Sequence, residues 1–363
     1  MLSESQKKQY NELHASAKAS IHRHEQVSIA QELNNLSKIP ASDEVRDSYG
    51  QGGGIGEFEH HLCDLFGKNS CVFLPTGTLA QCVALKCYSE SSGRSQVGLH
   101  PTSHLLLHEH MAIETLWRLQ VTTVGEYERV LTATDLTKLD PTTLAAIIIE
   151  LPMRELGGAL PSWDDLMVIK KWCKQYNVKM HLDGARIWQT TQYYKCSLAN
   201  IASLFDSIYI SFYKDLGGIS GAALLADEAL ISQARIWARR AGGNPITLYP
   251  EVLSARAGLE KYLPKMDDFV DYTKKLSAAL RPLPIKIVPA TPEVAMFHIQ
   301  FDMNAEALTN KIISYAEQTD ILVLPLPRSS NAHSCVCEIT IGDQAIAHEY
   351  QFWVDHINAC LDA

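Results

Sequence analysis

Two short stretches constrain this chain more than any others: Met180-His181-Leu182-Asp183-Gly184-Ala185-Arg186, and downstream Ser211-Phe212-Tyr213-Lys214-Asp215-Leu216-Gly217-Gly218. Asp183 closes the apolar strand Val178 to Leu182, and Lys214 follows a second apolar strand. Roughly 30 residues separate them, which is room for one helix and one strand, so both emerge at the carboxyl ends of neighbouring parallel strands, where open α/β sheets hold ligands. A lysine in that place, with a serine three residues before it and glycines after, suits a covalent carbonyl-binding amine better than a surface charge. A carboxylate at the adjoining strand end suits a pyridine nitrogen that must stay protonated. Together they read as Lys214 holding pyridoxal 5'-phosphate and Asp183 facing its ring nitrogen. Singly, Asp-Gly after a strand is an ordinary turn and a lysine after a strand is an ordinary loop residue; the combination, in this order, carries the reading.

The same rhythm recurs upstream. The apolar run Cys71-Val72-Phe73-Leu74 gives way to Pro75-Thr76-Gly77-Thr78 and then to a helix. Free N–H groups at a helix start, helped by the helix dipole and by hydroxyls, hold phosphate, so Thr76, Gly77 and Thr78 are assigned to the cofactor phosphate, as is the hydroxyl of Ser211. Ala145 to Ile149 is the near-continuous apolar run of a parallel strand buried on both faces; it leads into Glu150-Leu151-Pro152-Met153-Arg154-Glu155 and then the amphipathic stretch Pro161 to Gln175. Strand, helix and strand in alternation imply right-handed crossovers within one parallel sheet.

This motif set resembles the threonine aldolase and β-eliminating lyase family of pyridoxal phosphate enzymes, from about Asp47 to the end of the chain and most strongly between Thr76 and Gly221. The resemblance implies an α/β, aspartate aminotransferase-like fold (fold type I). Its large domain has a mostly parallel sheet flanked by helices, and a smaller C-terminal α/β domain follows. It also implies a homodimer or homotetramer with active sites at a subunit interface. His104 falls where relatives stack an aromatic ring or a histidine on the pyridine face, with Glu109 on the glutamate that follows. His104 is also a candidate base for a substrate hydroxyl. Arg186 is close enough to Asp183 to reach cofactor or substrate. Val45 to Gly56 matches the family's Asp-x-Tyr-Gly segment, a flexible linker being the other reading, and Arg239-Arg240 could offer charge to a phosphate. Two departures stand out. Relatives carry Glu-Asn-Thr-His where this chain has Glu150-Leu151-Pro152-Met153, leaving Arg154 and Glu155 as the nearest polar replacements. Relatives also place an arginine near the C-terminal strand, but Val336 to Asp343 has none and contributes Glu338. Arg328 is therefore the first candidate for the substrate carboxylate, with Arg186 and Arg154 behind it. His104, His108 and His110 have metal-ligand chemistry but spacings that mix helix and strand periods, so no metal is expected.

A net charge of −9 and a pI near 5.9 give no footprint for nucleic acid or anionic membrane. No apolar run reaches the roughly 18 residues that span a bilayer, and the polar start is no signal peptide. The nine cysteines include no Cys-x-x-Cys pair and read as reduced thiols of a cytoplasmic protein. The expected organisation is a helical arm over 1–45, a large cofactor-binding domain over 46–250 and a small domain over 251–363. The expected activity on an amino acid substrate is Cα–Cβ cleavage of a β-hydroxy amino acid, threonine or allo-threonine-like, to glycine and an aldehyde. Lys214, Asp183 and His104 carry the chemistry in that reading. β-Elimination by the same cofactor is the rival, followed by transamination and by a non-catalytic scaffold.

Overall fold

The strands that carry the chemistry are short apolar runs ending in a polar residue, so each buries its length and exposes only its carboxyl end. The computed structural model describes residues 2–362. The chain forms two compact units, one of Glu32–Glu155 and Leu160–Pro264, the other of Met1–Gln31, Leu156–Ala159 and Lys265–Ala363.

The larger unit is built on seven strands, β1 (Ser70–Leu74), β2 (Gln96–Leu99), β3 (Gln120–Thr123), β4 (Leu144–Glu150), β5 (Lys179–Gly184), β6 (Ser207–Ser211) and β7 (Ala222–Ala226), in the order β1-β7-β6-β5-β4-β2-β3. All neighbours pair in parallel except β7, which is antiparallel to both β6 and β1. Register is what positions the site: Glu150 pairs with Asp183, and Asp183 with Tyr209. Cα partners on neighbouring strands send their side chains to the same face, so β4, β5 and β6 present these three residues side by side. The helix Gly77–Ser92 packs on the sheet with Ala80, Val83, Ala84 and Leu85 fully buried. Thr76 caps it, its hydroxyl accepting from the Leu79 N–H at 3.2 Å. Gly77 has to be glycine, because a Cβ there would overlap the hydroxyl of Tyr209.

The glycine-rich segment is anchored, which removes the linker reading. Asp47 is buried and accepts from Thr247 Oγ1 at 2.6 Å and from the Leu248 N–H at 2.8 Å. Strands β2, β3 and β7 have no clear sequence signal. Three of the four residues of β3 are polar, and Ala222-Ala223-Leu224-Leu225-Ala226 favours a helix by propensity until burial between β6 and β1 makes it a strand.

The smaller unit has an antiparallel sheet of β8 (Lys286–Val288), β9 (Met296–Phe301), β10 (Ser329–Ser330) and β11 (Cys335–Thr340), ordered β10-β11-β9-β8. The helix Glu4–Ser16, closed by a Ser3/Gln6 capping box, packs on the helix Ala305–Thr319 through Gln6 to Asn310 at 2.8 Å and Gln9 to Glu317 at 2.7 Å. Ala19–Ser20 then pairs in parallel with Ile321–Leu322. These contacts place the N-terminal residues up to Gln31 in the smaller unit. The other division falls at Pro264/Lys265, because the helix Tyr249–Tyr262 stays with the larger unit; the units thus divide differently from 1–45, 46–250 and 251–363.

Candidate active site

Lys214 owes its position to the residue two before it. Phe212 is fully buried, with its ring 5.5 Å from Phe73, 5.4 Å from Phe58 and 6.2 Å from Trp188, while Trp188 Nε1 donates to the Ser211 carbonyl at 3.2 Å. The chain then turns back, the Gly218 N–H donating to the Phe212 carbonyl at 2.8 Å, and Lys214 is presented at the end of β6.

Around the amine lie Asp183, Glu150, Arg186 and Arg154. Burial, aided by the Arg186 guanidinium, pulls the Lys214 ammonium down to about 8 against the opposing carboxylates of Asp183 and Glu150. Asp183 is buried and accepts from the Ala185 N–H at 3.1 Å. Glu150 accepts from the Arg154 N–H at 3.0 Å; burial, and then the charge of Asp183, hold its carboxyl well above the usual carboxylate range. Two like-charged groups on adjacent strand ends cannot both ionise cheaply, which is why the Asp183 charge adds to burial at Glu150. Arg186 Nε lies 3.9 Å from Oδ1 of the buried Asp215, which also accepts from Gln189 Nε2 at 2.6 Å, tying the two signature segments together.

The other wall comes from the short helix His104–Leu107 and the turn after it. His104 Nε2 is 3.0 Å from Glu109 Oε1, and that oxygen also accepts from Thr78 Oγ1 at 2.8 Å. The Glu109 carboxyl is held below its ordinary range by His104 first, with help from Thr78 and the Lys214 charge. His108 Nε2 is 3.0 Å from Glu155 Oε1. Lys214 Nζ lies 6.0 Å from the Tyr209 ring centroid and 5.5 Å from that of Tyr213; the two phenols hydrogen-bond to each other, and burial raises both.

The structure thus brings together Lys214, Asp183, Arg186, Arg154, His104 and the turn Thr76-Gly77-Thr78. Four expectations change in detail. Ser211 is fully buried and its hydroxyl donates to the Ala185 carbonyl at 2.8 Å, so it braces the chain and offers no open hydroxyl to a phosphate. The hydroxyls of Thr76 and Thr78 are engaged by Leu79 and Glu109, which leaves the backbone N–H groups of the helix start for an anion. Arg239 and Arg240 lie over the rings of Tyr49 and Trp237, 5.2 and 4.8 Å from their centroids. Arg328 belongs to the smaller unit, where its Nη1 is 3.0 Å from Glu338 Oε2 and 3.1 Å from His298 Nε2: the carboxylate expected to repel a substrate is neutralised by the arginine expected to bind one. Among the described residues no three His, Cys, Asp or Glu side chains are grouped to hold a metal. Sequence reasoning assigned no role to Glu150, Tyr209, Tyr213 or Asp215; adjacency to Lys214 was the one available signal for Tyr213 and Asp215.

The fold has close counterparts among known proteins. The model of the beta-eliminating lyase family matches residues 33–303. A Listeria monocytogenes protein described as an L-allo-threonine aldolase is 31% identical with a TM-score of 0.91, over 98% of this chain and 99% of that one. A low-specificity L-threonine aldolase from Arabidopsis thaliana is 22% identical over 276 residues, 73% of this chain and 77% of that protein. An alanine racemase from Cochliobolus carbonum is 30% identical over 197 residues, 52% of this chain and 49% of that protein. The chain spans about half the length of the first curated relatives it matches.

Proposed function

Because the chain belongs to the beta-eliminating lyase family, we propose that it cleaves the Cα–Cβ bond of a β-hydroxy amino acid, threonine or allo-threonine-like, to glycine and an aldehyde. The cofactor of the family is pyridoxal 5'-phosphate, which, when bound, supplies an electron sink for the substrate α-carbon. The residues present fit that group: a helix start whose first residue, Gly77, packs against the Tyr209 phenol with no room for a Cβ, a buried carboxylate for the ring nitrogen and an amine drawn down to about 8.

In this reading Lys214 Nζ is the attachment atom, Asp183 holds the proton on the ring nitrogen, and the N–H groups of the turn Thr76-Gly77-Thr78 take the phosphate. His104, fixed by Glu109, stacks on the ring. Arg186, braced by Asp215, lowers Lys214. The substrate carboxylate falls to Arg328, or to Arg154 on the larger unit. Exposed Leu107, Met111 and Leu116 on the segment that carries His104 support an assembled homodimer or homotetramer. Among the described residues no helix is long and apolar enough to cross a membrane, and the nine free thiols support a cytoplasmic setting.

The observation that carries the proposal is that Lys214 and Asp183 stand at the carboxyl ends of the paired parallel strands β6 and β5. The family's description keeps β-elimination on another amino acid as the second reading. Incubating the holoenzyme with a panel of amino acids separates them: glycine plus an aldehyde supports aldol cleavage, whereas a keto acid plus ammonia supports elimination and removes the first reading.

A further inference from the structure

The proposed chemistry uses one imidazole, His104, and leaves a second of similar construction unused. The ring of His108 is 4.9 Å from that of His104, centroid to centroid, with the planes inclined at 39°. Its Nε2 meets Glu155 Oε1 at 3.0 Å, and Glu155 comes from a different element, the turn after β4 whose Arg154 N–H binds Glu150. The imidazole is open and the carboxylate shielded: their side chains are 38% and 15% exposed, against 33% and 17% for His104 and Glu109. In each pair a shielded carboxylate holds one ring nitrogen, which fixes the tautomer and leaves the other nitrogen for a ligand. A solvated surface pair accounts for the contact distance, but not for a shielded carboxylate or for the packing of His108 against His104.

We infer that His108, oriented by Glu155, is the imidazole that binds and deprotonates the β-hydroxyl of the substrate, while His104 serves the cofactor ring. The inference rests on the aldolase reading above. A ring laid flat on a pyridine keeps both nitrogens in a plane parallel to it; His108 is likewise held at Nε2, by Glu155, but its ring is inclined at 39° to that of His104, so its Nδ1 is not confined to that plane. With Nε2–H donated to Glu155, Nδ1 of His108 takes the hydroxyl proton. The O–H bond breaks, the oxygen pair forms the aldehyde C=O, and the Cα–Cβ pair stays on the α-carbon. The hydroxyl proton, or one exchanged for it, then ends on the α-carbon of glycine. Glu155 touches no reacting atom and is a positioning residue.

The test compares two reactions of the holoenzyme that share Lys214, Asp183 and His104 but differ in their need for a β-hydroxyl: cleavage of threonine and allo-threonine, and exchange of the glycine α-hydrogen in D2O followed by NMR. His108→Gln, His108→Phe and Glu155→Gln are each expected to lower kcat/KM for cleavage by about 100-fold and to leave glycine exchange within about threefold of the parent. In the cofactor-free protein, nitrogen NMR of His108 should show the Nε2–H tautomer, and Glu155→Gln should erase that preference. Unchanged cleavage in both His108 variants overturns the inference, as does a fall of equal size in both reactions, which assigns His108 to the scaffold. A parent enzyme that exchanges glycine but cleaves neither β-hydroxy amino acid removes the aldolase reading and the inference with it. Intact cleavage in parent and variants alike removes the inference alone.

Discussion

The most direct consequence of the site is the state of the Lys214 amine. A lysine titrating at its ordinary 10.5 is neutral at pH 7 in about one molecule in 3,000; one brought down to about 8 is neutral in about one in ten, a gain of about 300-fold in reactive amine. Competitive labelling of the cofactor-free protein with a trace amine-reactive reagent, read by peptide mass spectrometry, compares Lys214 with a well-exposed lysine such as Lys8, whose side chain is 79% exposed. Access scales the plateau of the labelling curve but not its midpoint, so the Lys214 curve should rise through about 8 and then level off. The charge map fixes the direction of further shifts. Arg186→Gln removes a depressing charge and should move the midpoint up, whereas Asp183→Asn removes a supporting one and should move it down. The linked stability has a definite sign as well. Between about 8 and 10.5 the unfolded chain binds the lysine proton more tightly than the folded one, so this group makes the fold more stable as pH rises through that window. A midpoint at the ordinary lysine value, or an Arg186→Gln shift downward, refutes the reasoning.

Lys214→Ala should abolish turnover together with borohydride-stable attachment of the cofactor; a reducible covalent adduct persisting in that variant would falsify the assignment. Asp183→Asn should reduce activity further than cofactor occupancy, since the phosphate turn is untouched; equal losses, measured by absorbance and product formation, make Asp183 structural only. Gly77→Ala forces a Cβ into the Tyr209 hydroxyl and should cost about 1–3 kcal/mol in a thermal melt as well as weaken cofactor binding. Arg328→Lys loses a forked charge pair and should lower kcat/KM by the equivalent of about 2–4 kcal/mol with the cofactor spectrum unchanged; unaltered kinetics discard Arg328 as the anchor.

What the sequence made legible follows from what burial does to a strand. β4, β5 and β6 are buried on both faces, so their runs are apolar and the polar residues Glu150, Asp183 and Lys214 mark their carboxyl ends. β3 and β7 lack that contrast, one through exposure at the sheet edge and the other through a composition of alanine and leucine. Ser211 braces the chain because the turn begins directly after it: its hydroxyl donates to the Ala185 carbonyl, and Phe212 is drawn into the aromatic cluster. The pairings were hidden for a different reason. Thr78 meets Glu109 across 31 residues of sequence and His108 meets Glu155 across 47, distances over which only the sheet order decides who is adjacent. Asp215 shows how much of the site's chemistry lies in such pairings. It neighbours Lys214 in the chain and lies 3.9 Å from Arg186, and Arg186 is the charge that helps burial prevail over Asp183 and Glu150. If the carboxylates prevailed, the amine would stay protonated well above neutral pH and could not attack a carbonyl. The balance that makes Lys214 reactive is therefore set through a loop that Asp215 and Gln189 keep in place, and substituting Asp215 should raise the Lys214 midpoint without removing any group in contact with substrate.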